Sequence, residues 1–226
     1  MKRLNLKLIK KNLGMTFIEL IVVLSIFSIM SGIVLSNYKD FQLMIGVKIL
    51  ANDVALKIVE AQKLAMSGKL APLAQQTFQG SFVDLWKPSY GVYFDSSASP
   101  DFDGVSYNKK FIYFADLDNG AINSQVSYFY PHQVCGGSSN MECLDSININ
   151  KGFYVSQLSV ECNGGTMPAL VTNLSITFTR PDSGAVIQSS NPSCTPTVAI
   201  IEFKSSVIST AKATVVVYAS GRVQIR

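Results

Sequence analysis

The stretch MTFIELIVVLSIFSIMSGIVLSNY, residues 15–38, governs how the rest of the chain is read, and Glu19 is its only charge. As a helix, the apolar core from 15 to 35 would be about 31 Å long, close to the ~30 Å hydrocarbon thickness of a bilayer. Upstream, residues 1–14 carry Lys2, Arg3, Lys7, Lys10 and Lys11 and no acid. Basic residues before a span hold the N-terminus in the cytoplasm, so the chain beyond the span is exported. A cleaved secretory signal needs a small-residue site after the apolar run, and SGIVLS at 31–36 is a poor one. A plain signal anchor leaves Glu19 unexplained, because a carboxylate near mid-membrane costs roughly 2.5–3.5 kcal/mol, and less toward the interface. An acid so placed calls for a partner.

Composition supports this division. Of 226 residues, 15 % are charged, against the ~25 % usual in soluble globular chains, and mean hydropathy is +0.27. These values exclude disorder, collagen and a coiled-coil composition, and they argue against a plain cytosolic enzyme. The net charge of +4 belongs to the N-terminus: without the five basic residues of 1–14, 14 Lys and Arg face 15 Asp and Glu.

The run KKNLG, then MTFIEL, then the long apolar stretch resembles a type IV prepilin, the class that includes pilus subunits and secretion-system pseudopilins. The resemblance implies that prepilin peptidase cuts after Gly14 and that the new first residue, Met15, is N-methylated. Methionine departs from the family's usual phenylalanine there and is tolerated. The resemblance also gives Glu19, fifth in the mature chain, its partner: the N-terminal amine of a neighbouring subunit. Thr16 and Phe17 belong to the same assembly segment. The other pilin or pseudopilin subunits of a helical filament are then the partners, with membrane lipid around the span before assembly.

From residue 39 the pattern turns amphipathic without a break. Met44, Val47, Ala51, Val54, Ile58, Ala61 and Ala65 step by three and four along one helix face. Asp53 and Lys57 are an acid-before-base pair four apart on the exposed face. Ser67-Gly68 supplies a stop. One unbroken helix over 15–67 would be about 80 Å long, with Gly32 and Gly46 as its weak points.

Beyond Gly68, short β-like runs stand between turn residues: 90–94, 111–115, 125–130, 153–160, 170–178, 198–203, 213–218 and 222–226. Leu174, Ile176 and Phe178 alternate with Ser175, Thr177 and Thr179, as in half-buried antiparallel strands. Ala219-Ser220-Gly221 reads as a tight hairpin, and 71–81 and 96–103 as linkers. YGVYF, FIYFADLDNG, LSITFTRPDSG and VVVYASGRVQIR, in that order, resemble the minor pseudopilins of the H type and related minor pilins. The expected fold is therefore α+β, a type IV pilin fold. Its long N-terminal helix, transmembrane and then amphipathic, packs on an antiparallel β-sheet domain. The expected division is a cleaved leader 1–14, a transmembrane or filament-core half 15–38, an amphipathic half 39–67 and an exported β domain 68–226.

Chemistry is sparse. Cys135, Cys143, Cys162 and Cys194 all lie on the exported side, where disulfides persist. Four cysteines allow three pairings. Cys135–Cys143 would fix a polar, glycine-rich loop, and Cys162–Cys194 would tie a long loop to a strand. A zinc site using His132, Cys135 and Cys143 lacks a C-x-x-C knuckle. Asp116 and Asp118 begin like a calcium loop, D-x-D-N-G, but residues 121–125 bring no carboxylate. With one histidine and no nucleophile or phosphate motif, neither an enzyme nor a cofactor is expected. The alternative function is DNA capture by a minor pilin. Its footprint would be Lys109-Lys110 or the pair Arg222 and Arg226, four apart on one strand face.

Overall fold

Apolar residues recurring every three or four positions, with no proline among residues 15–67, dictate helix. In the computed structural model they lie on α1, Phe17–Ser67. The structure describes residues 14–70, 88–100, 104–116, 142–150, 152–163, 167–190 and 194–226, without the side chains of 36 and 37. The chain divides into two units, Met1–Phe41 and Gln42–Arg226.

In the first unit the described residues are almost all helical. Its large apolar side chains, from Met15 to Phe41, are exposed. By length and composition α1 is able to cross a membrane.

In the second unit, α1 buries Val47, Ala51, Val54, Ile58, Ala61 and Ala65. Each such side chain contributes roughly 1.5–3 kcal/mol if large, less for alanine. Met44, expected to extend the stripe, is 42 % exposed. At 100° per residue it falls about 60° off the stripe's axis, and Leu43 packs against the core instead. The expected Asp53–Lys57 pair is also replaced: Lys57 Nζ bonds Glu60 Oε2 at 2.9 Å. The helix ends where Gly68 takes φ +62°. There the Gly68 N–H donates to Ala65 O (3.0 Å) and the Lys69 N–H to Leu64 O (3.3 Å). This is a Schellman cap, which absorbs carbonyls the helix leaves without partners.

Among the described residues, two five-stranded sheets, antiparallel throughout, accompany the helix. The strands in chain order are β1 (Ser89–Asp95), β2 (Lys110–Asp116), β3 (Cys143–Asn148), β4 (Phe153–Cys162), β5 (Ala169–Val171), β6 (Asn173–Phe178), β7 (Ala185–Ser189), β8 (Pro196–Ser205), β9 (Lys212–Tyr218) and β10 (Val223–Ile225). The first sheet runs β3-β2-β1-β6-β7 and the second β10-β9-β8-β4-β5. Their inner faces and the helix stripe form one hydrophobic core. Phe94 stacks on Phe111 at 5.6 Å and meets Phe203 of the other sheet edge-on at 6.5 Å. A long N-terminal helix packed, through its second half, on antiparallel sheets is an α+β architecture consistent with the type IV pilin fold.

Gly46, marked from sequence as a weak point, has a packing role. A Cβ there would stand 2.7 Å from the Phe153 ring, whereas one on Gly32 would meet nothing within 4 Å.

Three expectations about the strands need correction. The single strand 170–178 is two, β5 and β6, in different sheets. Val171 and Leu174 both enter the core, and two residues three apart cannot share one face of a continuous strand. The polar face of β6 is not solvated either, since Ser175 and Thr177 are fully buried. This second face of the first sheet carries its own cluster of Tyr93, Ile112 and Phe114, and Gly91 leaves room for the Phe114 ring. Finally, residues 96–100 are not a loose linker. The Ser96 N–H donates to Thr172 O, and Pro100 bridges to Ser106. Strands β3 and β7 were not expected, and the expected strand at 125–130 lies outside the described residues.

Candidate processing and assembly site

Gly14, Met15 and Thr16 precede the helix in non-helical chain. Nothing lies within 4 Å of a Cβ built on Gly14, and Phe17 is 79 % exposed. The Gly14–Met15 bond thus lies in exposed, non-helical chain just before the first helical turn.

Thr16 and Glu19 are brought together. The Thr16 N–H and Oγ1 both donate to Glu19 Oε2 at 2.8 Å, and the Glu19 N–H donates to Thr16 Oγ1 at 3.4 Å. This reciprocal pair is a capping box, which occupies amide donors at the helix start. The sequence carries this signal as T-x-x-E directly before an apolar run, so Glu19 has a partner within its own chain as well. Cleavage after Gly14 would leave the box whole, because every atom in it belongs to Thr16 or Glu19.

At the other end of the chain, β9 and β10 meet in a three-residue loop. The Tyr218 N–H donates to Arg222 O and the Gly221 N–H to Tyr218 O, with Gly221 at φ +83°. This is the three-residue hairpin that demands a left-handed glycine. The turn also rests on α1: Gln62 Nε2 donates to Ser183 O at 2.8 Å and to Gly221 O at 3.3 Å. Arg222 and Arg226 do share a face, and they converge on Tyr218. The Arg222 guanidinium lies 4.0 Å from the ring centroid, and Arg226 Nη2 donates to the phenol oxygen at 3.4 Å. Tyr218, the aromatic that organises both, was not foreseen. Lys110, the other basic candidate, is buried and lies 5.4 Å from the Tyr107 ring.

On the second sheet, Glu202 bonds Lys204 Nζ at 2.9 Å and Ser156 Oγ at 3.0 Å, with Lys212 Nζ at 3.8 Å. Partial burial acts to raise its pKa, but these hydrogen bonds and charges outweigh it and hold the carboxyl below its ordinary value.

Cys162 and Cys194 are joined, with Cα atoms 5.9 Å apart, across 32 residues. Cys143 opens β3, while Cys135, and with it the Cys135–Cys143 pairing, lies outside the described residues. So do Asp118 and His132. Asp116 ends β2 and is 2 % exposed. Among the described residues no group of three or more His, Cys, Asp or Glu is arranged to hold a metal.

The family model described as the prokaryotic N-terminal methylation motif matches residues 9–35. No match was found among curated proteins or among solved structures. The motif supports a type IV prepilin-like protein: a pilin-like substrate of prepilin peptidase, assembling with other pilins, whose apolar helix fits a membrane anchor.

Proposed function

We propose that the chain is a structural subunit of a type IV pilus or a type II secretion pseudopilus, held before assembly in the cytoplasmic membrane with its N-terminus inside. The observation that carries this reading is the methylation motif at 9–35 continuing into a helix whose apolar side chains are exposed. Prepilin peptidase cuts after Gly14 and methylates Met15. Residues 15–38 then leave lipid for the filament core, 39–67 carry the domain, and 68–226 form its exported β part. Glu19 exchanges the Thr16 donors of its own chain for the Met15 amine of a neighbour. That amine exists only after cleavage, so processing gates assembly. No catalytic role is assigned. Among subtypes, the order of β motifs favours the minor H-type pseudopilins and related minor pilins.

Mass spectrometry of the N-terminal peptide from the native host tests this directly. The expected peptide begins at methylated Met15, and an intact leader or a cut near Ser36 overturns the reading. Glu19→Ala should keep membrane insertion and lose incorporation into filaments in competition with the unsubstituted chain. The second reading, DNA capture, draws on Arg222 and Arg226 gathered at Tyr218. It requires a gel shift by the full chain that weakens steeply with salt and that Arg222→Ala abolishes.

A further inference from the structure

The helix of the second unit has two apolar faces. One is the buried stripe from Val47 to Ala65. On the opposite side Ile45, Ile49, Asn52, Leu56, Val59, Lys63 and Met66 are all exposed, Leu56 by 66 %. They succeed one another at steps of four and three without exception. At 100° per residue they lie within about 60° of one line, opposite the stripe. Alternating steps of four and three define the a and d seam of paired helices. With Ile49, Leu56 and Lys63 at a, the d positions are Ile45, Asn52, Val59 and Met66. The flanking g positions then hold Lys48, Ala55 and Gln62, and the e positions hold Asp53 and Glu60.

We propose that this face pairs α1 with the α1 of a second copy of the chain, parallel and in register. The orientation rests on the proposed membrane anchoring: two spans inserted in the same direction place both seams side by side at the same height. Charge then fits. In a parallel pair each g residue faces the e residue five positions on in the other helix. Lys48 therefore meets Asp53 of the partner subunit, and the same contact repeats by symmetry. Asn52 fixes the register, because in register the two amides face and satisfy each other. Asn52 Nδ2 donates to Lys48 O of its own helix at 2.9 Å, but a slip of one heptad would set Asn52 against Ile45 or Val59 and strand its Oδ1 in an apolar seam. Lys63 sits toward the end of the seam, where its stem lies along the apolar surface and its ammonium reaches water.

A groove of about 440 Å³ shares Ile49 and Leu56 with the seam and extends over Phe111, Ile147 and Phe153. The apolar surface on offer is therefore wider than the seam itself. Three heptads are few for stable pairing in water. Confinement to one membrane supplies the high effective concentration that so short a seam requires. A 22-residue seam also escapes the whole-chain composition, which excludes only a chain that is coiled coil throughout.

The test uses the full-length chain in isolated membranes, carrying Leu56→Cys on the seam or Lys57→Cys one residue away and off it. After mild oxidation, non-reducing electrophoresis should show several-fold more cross-linked dimer for Leu56→Cys than for Lys57→Cys or the unsubstituted chain. Equal cross-linking at the two positions overturns the seam. On the Leu56→Cys background, Lys48→Glu should reduce the dimer, and adding Asp53→Lys should restore it. Failure of the double change to restore it overturns the in-register pairing. All four positions are outside the core, so the variants retain the fold. Alkaline extraction of the same samples scores membrane insertion separately. A chain that washes out refutes the membrane reading, while the cysteine pattern, read in whichever fraction holds the chain, still decides the seam.

Discussion

Residues 17–35 and 47–65 belong to one helix and are both rich in apolar side chains, yet their surroundings are opposite. Along 17–35 every large apolar side chain is exposed, whereas in 47–65 the stripe from Val47 to Ala65 is sealed against two sheets. The first stretch is apolar all round, as a helix solvated by lipid or by other helices must be. The second alternates, since one face meets the core and Lys48, Asp53, Glu60 and Lys63 meet water. Apolar content alone therefore does not tell a core helix from a membrane helix. What separates them is whether charge recurs within each turn.

Truncation probes this difference most severely. A chain starting at Asp40 should be soluble, because it loses the lipid-type surface and keeps the stripe. One starting at Lys69 should aggregate, because it exposes the sheet faces the stripe covers. Size-exclusion chromatography of the two checks this, and identical behaviour would remove the helix from the core. Point changes narrow the comparison. Ile58→Ala should destabilise the domain by about 2–5 kcal/mol, and Ile29→Ala should leave its urea midpoint unchanged. The two glycines should also part company. Gly46→Val forces a side chain against Phe153 and should cost about 1–3 kcal/mol. Gly32→Ala meets nothing and should be neutral or gain up to about 1 kcal/mol of helix preference, both read by thermal unfolding.

The smallest effect concerns charge on the water-facing part. Glu202 has a lowered folded-state pKa, so its contribution is present above its unfolded value of ~4.3. That contribution is lost as pH falls through the folded value. Glu202→Gln should therefore lower stability by less than about 1 kcal/mol at neutral pH, the group being partly solvated. The difference from the unsubstituted chain should close in acid, as pH-dependent urea melts would record.

Most of the helix was legible because its signals are local. The T-x-x-E box, the three-four steps and Ser67-Gly68 each need only their own neighbours. Met44 failed because the step rule tolerates a drift that the core does not. The sheets were read less well. β3 (CLDSIN) and β7 (AVIQS) are short and partly polar, and only pairing with β2 and β6 makes them strands. The break at Thr172 was visible in the parity of Val171 and Leu174, but alternation on either side disguised it. At the candidate site, the convergence of Arg222 and Arg226 on Tyr218 depends on the pairing of β10 with β9. The four-residue spacing of the arginines could not reveal that third member.

The order of strands bears on how the second unit forms. Along the chain the first sheet takes β1, β2 and β3, yields to β4 and β5, resumes with β6 and β7, and yields again. The first sheet is not finished until β4 and β5 of the second have been passed, and β8 must find β4 more than thirty residues back along the chain. Contacts of such range are slow to close and offer little reward until many are made together. A chain so interleaved has no stable half-product, so nicking or shortening either sheet should unravel both. The unit is expected to cross from unfolded to folded in one concerted step, once all ten of the described strands are available to pair.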